Sequence, residues 1–113
     1  MHAEPGAPLT PALHHILLAL LVGERHGYAV MKDVEMMTSG AMRLGPGTLY
    51  GALKRLLEAG LVEEAGERQE GDDERRRYYR ITGAGRRAVA AETTRLQRLV
   101  AFAQDHLRQG TPA

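Results

Sequence analysis

The chain has no cysteine, no tryptophan and no asparagine, and it carries a single phenylalanine and a single serine among 113 residues. Without cysteine there is no disulfide, no thiolate nucleophile and no cysteine-based zinc site, as suits a reducing compartment. Aromatic residues make up 4% of the composition against 43% apolar residues, and a small core with few large rings often relies on a partner chain for part of its burial. The formal net charge is +1, so a basic footprint for nucleic acid has to be local. No apolar run approaches a membrane span, and the first residues lack the charged-then-apolar order of a signal peptide. The expectation is a cytoplasmic protein of one domain, with no membrane contact. Ser39 follows a helix end with no Ser-His-Asp arrangement in view, so no enzyme is expected.

The segment that organises the chain runs from Leu44 to Gly60. Pro46 suits a first helical position, where a missing N–H costs nothing, and Gly60 suits a left-handed exit. Leu49, Leu53, Leu56 and Leu57 recur at the spacing of one buried helical face. At about 100° per residue the opposite face collects Gly47, Gly51, Lys54 and Glu58, flanked by Thr48, Arg55 and Tyr50. A surface with two cations, a hydroxyl, a phenol and two missing side chains can approach a phosphate backbone closely, as a recognition helix does.

Before it, Met1 to Leu9 reads as a loose arm. Thr10-Pro11 reads as an N-cap and first helical residue of a helix from Pro11 to Val22, apolar on nearly every face. Such a helix is buried from more than one side, in its own core and against a second subunit through Leu13, Ile16, Leu17 and Leu20. A second helix is predicted from His26 to Thr38, with Tyr28, Val30, Met31, Val34 and Met37 inward and Lys32, Asp33 and Glu35 in water.

After Gly60 the period changes. Leu61 to Ala65 can pair as a strand with Arg77 to Thr82, with Gly71-Asp72-Asp73 at the tip of the connection. On the second strand Tyr79 faces the core with Ile81, and Tyr78 is left to meet DNA or the last helix. Thr82 caps a final helix of about 38 Å over residues 83–107, too long for so small a body to cover. Val89, Leu96 and Ala103 recur every seven residues, with Leu99, Val100 and Leu107 beside them, as a short helix-packing seam. The fold class is mainly α with a small β-hairpin: a winged helix-turn-helix over residues 10–82, a dimerisation helix over 83–109 and a disordered tail over 110–113.

Several motifs in this order resemble the PadR family of bacterial transcriptional regulators. They are Leu9-Thr10-Pro11-Ala12, His26-Gly27-Tyr28-Ala29, Leu44 to Leu56, Gly60-Leu61-Val62, and Arg75 to Thr82 continuing into Ala84-Gly85-Arg86. The resemblance covers Leu9 to Leu107. It implies a homodimeric winged-helix repressor of the short subgroup with one C-terminal helix, binding a palindromic operator in double-stranded DNA without a cofactor. It also implies release of DNA when an effector alters the dimer. A candidate pocket between the first and last helices, lined by Leu13, Leu17, Leu96, Val100 and Phe102, would suit a small hydrophobic or phenolic molecule; the alternative is a filled interface. The chain departs from the family at Gly45, where a serine is common and caps better by roughly a few tenths of a kcal/mol, and at Gly83. It also lacks the indole on which multidrug-binding members stack flat ligands.

The expected DNA contacts are Thr48, Tyr50, Gly51, Lys54 and Arg55 on the recognition helix and Arg75, Arg76 and Arg77 on the wing. Arginine suits phosphate because its planar fork donates two bonds at once, although a charge run is also an ordinary solvated face. With no asparagine in the chain and no glutamine in this helix, bidentate adenine recognition is closed to it, while Lys54 or Arg55 can reach guanine. Thr48 can instead bond locally at the helix start, and Tyr50 can be a half-buried packing ring. Two apparent motifs carry no chemistry. Gly83-Ala84-Gly85-Arg86-Arg87-Ala88 imitates a dinucleotide fingerprint but lacks a second strand. His14 and His15 point about 100° apart on a helix and cannot share a metal ion. Two rival readings stand beside the regulator: a winged-helix module that binds protein, and more distantly a small-molecule enzyme.

Overall fold

The computed structural model describes residues 9–70 and 74–109, so most of the expected arm, the tip at 71–73 and the tail at 110–113 lie outside the described residues. Helix α1 (Pro11–Leu21) starts where Thr10 Oγ1 accepts the Leu13 N–H at 3.2 Å and Pro11 enters without an N–H to satisfy. A two-residue strand β1 (Arg25–His26) leads into α2 (Gly27–Met37). Ser39 and Gly40 then take left-handed backbone angles, and Gly40 N–H closes on Glu35 O at 2.8 Å. Helix α3 (Pro46–Glu58) ends through Gly60 at φ 75°, with Leu61 N–H returning to Leu56 O at 3.0 Å.

Strands β2 (Val62–Glu70) and β3 (Glu74–Ile81) form the wing, and β1 adds to the other edge of β3, giving an antiparallel sheet in the order β1-β3-β2. The register shifts between Glu64 and Glu67, where Gly66 sits at φ 91°, so the wing carries a bulge with a left-handed glycine. Helix α4 (Gly83–Gln109) follows after Thr82, whose Oγ1 accepts the Gly85 N–H at 3.0 Å.

One core holds these elements. Ile16, Leu17 and Leu20 from α1 meet Val30 and Val34 from α2, Leu49, Leu53 and Leu56 from α3, and Val62, Tyr79, Ile81 and Val89 from the sheet and α4. Each large aliphatic side chain so enclosed stabilises the fold by about 1.5–3 kcal/mol. Among the described residues, the buried positions of α4 lie in its first part, at Gly85, Val89 and Glu92, while Leu99, Val100, Phe102 and Leu107 are more than half exposed. The architecture is the mainly α winged helix-turn-helix with a long C-terminal helix.

Four expectations need correction. Tyr28 is 50% exposed and not in the core, because the packed face of α2 is centred on Val30 and Val34 and Tyr28 lies about 120° around the helix from Val34. Met37 is the last residue of α2, where that face ends, and is also exposed. Tyr78 is buried, not free to reach DNA or α4: His26 of β1 meets its ring edge-on and the Arg68 guanidinium covers it at 4.0 Å. The hairpin strands reach Glu70 and Glu74, well past Ala65 and Arg77: the backbone ladder continues through polar residues that show no apolar alternation.

Candidate nucleic-acid interface

The outer face of α3 is built by omission. Gly45 gives the helix no side-chain cap, and Pro46 has no N–H, so the first-turn amides after it remain available to an acceptor outside the chain. Thr48, Tyr50, Gly51, Lys54 and Arg55 are all exposed. A β-carbon on Gly47 or Gly51 would meet nothing within 4 Å, so neither glycine is there for the fold's own packing.

Two hollows flank this face. The larger, about 630 Å³, lies between the wing and the starts of α2 and α3 and brings together His26, Gly27, Tyr28, Tyr50, Arg75, Arg76, Arg77 and Tyr79, with Glu67 at its rim. The smaller, about 260 Å³, joins Thr48, Gly51 and Arg55 to Thr10, Ala12 and Leu13 at the start of α1. Leu13, expected at a subunit contact, therefore sits beside the recognition helix. Lys54 lines neither hollow and is exposed. Tyr50 combines both readings of it: its ring is half exposed, yet a β-carbon on Gly27 would come within 2.5 Å of its hydroxyl. Burial pushes the Tyr79 phenol up, against the opposing influence of Arg77.

The wing arginines are already paired with acids. Arg75 lies 3.4 Å from Glu67 and Arg77 3.2 Å from Glu64. Arg80 reaches Glu63 at 2.6 Å and Glu24 at 2.8 Å, and Glu24 also takes Arg68. The Arg68 and Arg80 hydrogen bonds hold the Glu24 carboxyl below the usual carboxylate range. Exposed pairs of this kind are worth about 0–1 kcal/mol, so a phosphate can displace the glutamates at little cost. The Arg76 guanidinium approaches the imidazole Nδ1 of His26 at 3.5 Å and lies over the Tyr28 ring at 5.5 Å. Sequence reasoning missed His26 and Tyr28 as members of this cleft, although both stood in the His26-Gly27-Tyr28-Ala29 motif.

On the far side of the molecule, a hollow of about 420 Å³ separates α1 from α4, lined by His14, Leu18, Thr93, Leu96, Gln97, Val100, Ala101 and Gln104. Of the residues expected there, Leu96 and Val100 line it. Leu17 is sealed in the core, and Phe102 is exposed with its ring stacked on His106 at 4.1 Å. Ile16, Leu20 and Val89, expected at a subunit contact, are likewise enclosed in the chain's own core, which leaves Leu96, Leu99, Val100, Ala103 and Leu107 on α4 as the accessible part of that set. The His14 Nε2 is buried and has no hydrogen-bond partner among the described residues. Glu92 is 5% exposed and paired with Arg95 at 2.5 Å. Among the described residues no cluster of three or more His, Asp or Glu side chains could hold a metal ion, and no helix is long and apolar enough to cross a membrane.

Comparison with known proteins agrees with this geometry. A PadR family transcription regulator from Clostridium difficile has the same fold at a TM-score of 0.73 and 22% identity, over 87% of this chain and 99% of that one. A transcriptional regulator from Clostridium thermocellum matches at 0.69 and 26%, over 82% and 89%. Bacillus subtilis PadR, solved in complex with operator DNA, matches at 0.64 and 20%, over 74% and 46%. An uncharacterised 37.1 kDa protein of a Streptomyces fradiae transposon is 39% identical over 84 residues, 74% of this chain and 22% of that protein. An uncharacterised protein X of Lysinibacillus sphaericus is 34% identical over 71 residues, 63% of this chain and 64% of that protein. The chain thus spans less than two thirds of either relative. Residues 16–91 match the family described as the transcriptional regulator PadR-like family, and the chain belongs to that family.

Proposed function

We propose that the protein is a repressor that binds a palindromic operator as a homodimer, each α3 entering a major groove and each wing gripping the flanking backbone. The observation that carries this reading is the open, uncapped face of α3 at Gly47 and Gly51, set between two hollows that gather Thr48, Tyr50, Arg55 and the wing arginines. Glycines with nothing of their own chain to pack against suit the close approach of another backbone. That Bacillus subtilis PadR, which shares this fold, is found in complex with operator DNA supports DNA as the partner. Exposure of Leu99, Val100 and Leu107 along α4 supports a second copy as the cover of that helix. Two recognition helices must then fall about 34 Å apart along the duplex, so an effector seated between α1 and α4 would act by changing the angle between subunits.

The pairing of the wing arginines with glutamates favours one rival, a winged-helix module that docks on protein. Selection of bound sequences from random duplex DNA, repeated across salt concentrations, separates the two. A palindromic consensus whose affinity falls steeply with salt supports the operator reading, because phosphate contacts release counterions. Weak binding with neither consensus nor salt slope would leave the protein-docking module as the better account.

A further inference from the structure

The cleft beside the wing contains a histidine that does two things with one nitrogen. His26 is the N-cap of α2, and its Nδ1 accepts the Ala29 N–H at 3.2 Å. The Arg76 Nη1 lies 3.5 Å from the same atom. Arginine can only donate and the Ala29 amide can only donate, so Nδ1 is the acceptor for both and the imidazole proton resides on Nε2. The ring itself is held on two sides. Tyr78, directly opposite His26 in the β1–β3 register, meets it edge-on at 5.4 Å, and Tyr28 lies nearly parallel to it at 6.5 Å. Arg68 lies over the Tyr78 ring at 4.0 Å, and Arg76 itself lies over Tyr28.

Arg75 and Arg77, its sequence neighbours, each reach a glutamate of β2. Arg76 reaches the start of α2, with the Tyr28 ring 5.5 Å from its guanidinium and the His26 Nδ1 at 3.5 Å. A flexible cation gains from such a seat because less of its rotamer freedom remains to be lost when it takes a phosphate.

We infer that His26 is a positioning residue for DNA binding: fixed at the head of α2, its imidazole sets the direction of Arg76 in the cleft. This rests on the reading of that cleft as the seat of the DNA backbone. His26 belongs to the shortest strand and the start of a helix, so the same residue that begins α2 aims a cation carried by β3. The wing and the helix-turn-helix are thereby set relative to each other at the point where both would meet phosphate.

The test separates capping from positioning. Serine caps a helix as well as any residue but is too short to reach Arg76, so His26→Ser keeps α2 and removes the seat, whereas His26→Ala removes both. The His26→Ser chain should melt close to wild type and above His26→Ala, yet bind its selected duplex about threefold to tenfold more weakly, the range of one modest hydrogen bond. Its salt slope should become shallower, by as much as the ~1 expected for losing one phosphate contact. In an Arg76→Ala background the same substitution should cost no further affinity. In the free chain, the side-chain N–H signals of Arg76 should shift and exchange faster with solvent in His26→Ser. Wild-type affinity in His26→Ser, an undiminished loss in the Arg76→Ala background, or unchanged Arg76 signals would each overturn the inference. A wild-type chain that binds no duplex would remove the DNA reading alone, and the free-chain signals would then decide the seat of Arg76 without it.

Discussion

Gly85 is pressed against the backbone carbonyl of Leu61. A β-carbon on Gly85 would overlap that oxygen and come within 2.6 Å of Ile81 Cγ1. The same carbonyl accepts the Thr82 N–H at 3.1 Å, and Thr82 Oγ1 in turn caps α4 while donating to Gly60 O at 2.7 Å. The end of α3, the root of the hairpin and the first turn of α4 therefore meet at one point, and the imitation of a dinucleotide fingerprint at residues 83–88 is a packing device.

The first prediction follows directly. Gly85→Ala should destabilise the chain by about 1–3 kcal/mol, the cost of overpacking a filled site, because the obstruction is backbone and cannot rotate away. Urea melts of the two chains measure it. A difference below about 0.5 kcal/mol, the scale of an ordinary surface change, would mean that α4 can shift its first turn freely.

Gly51 should behave in the opposite way. It lies inside α3 with open space where its β-carbon would be, so alanine there should stabilise the helix by about 0.5–1 kcal/mol. If α3 lies against DNA, the same methyl group occupies the space of approach, and operator affinity should fall as the melting temperature rises. Gain in stability together with unchanged affinity would remove Gly51 from the interface.

Much of this was legible in the sequence, for reasons that differ by element. The helix starts at Pro11 and Pro46 and the exit at Gly60 carry local chemistry that needs no tertiary context, and α3 declares its buried face through Leu49, Leu53 and Leu56. Strand β1 has two residues and no period to detect, so its third-strand pairing with β3, and with it the burial of Tyr78, stayed hidden. The outer wing is not legible as strand because Glu67, Arg68, Arg75 and Arg76 give no apolar alternation, and its register even sets Arg68 opposite Arg76. At the cleft, the arginines were visible as a run, but their partners on β2 and the part played by His26 depend on register, which composition does not reveal. An apolar residue on nearly every face of α1 signals burial from more than one side but not by what, and in this chain α2, α3 and the sheet enclose Ile16, Leu17 and Leu20.

The third prediction concerns the charge pairs of the wing. Arg77 is held 3.2 Å from Glu64, with both side chains more than half exposed. Glu64→Gln releases the guanidinium and removes an acid from beside the proposed phosphate path, so operator affinity should rise by up to about fivefold, the range of an exposed ion pair. Arg77→Ala should lower it and make the salt slope shallower by ~1. Loss of affinity in Glu64→Gln would show that the glutamate orients Arg77 for binding and does not compete for it.

The fourth concerns assembly. Leu99 is 53% exposed on the part of α4 that no other described element covers, so Leu99→Lys should leave the fold intact and abolish the proposed dimer. Sedimentation at micromolar concentration should find a dimer for wild type and a monomer for the variant, with operator affinity largely lost and thermal stability at low protein concentration little changed. A monomeric wild-type chain would sink the dimer reading, and a dimeric Leu99→Lys chain would move the contact away from this stripe.

The last prediction is a dependence on pH at the same end of the molecule. Burial holds the His14 imidazole below the ordinary histidine range, His15 and Arg95 act in the same direction, and Glu92 opposes them. Its Nε2 has no hydrogen-bond partner among the described residues, so the protonated ring would be a buried cation beside Arg95, with Glu92 the one described acid to answer it. In the unfolded chain the ring titrates near the ordinary value of about 6.5. With the folded value depressed, the unfolded state binds more protons as pH falls through that region, and the folded state loses stability on acidification. The contribution is complete above about pH 6.5 and is lost as pH falls through the folded value. Glu92 and Glu24 are also depressed, by their arginine partners, but their contributions persist above the carboxylate range and fade only under more acid conditions. Between pH 7.5 and 5.5, roughly the span in which a free histidine changes charge, the wild-type melting temperature should therefore fall, and His14→Leu should flatten that fall without reversing it. Leucine at this position also removes the unpartnered nitrogen, so the variant should be at least as stable as wild type at pH 5.5. Identical pH profiles for the two chains would mean that His14 is reached by water, and that the hollow between α1 and α4 does not hold its ring neutral.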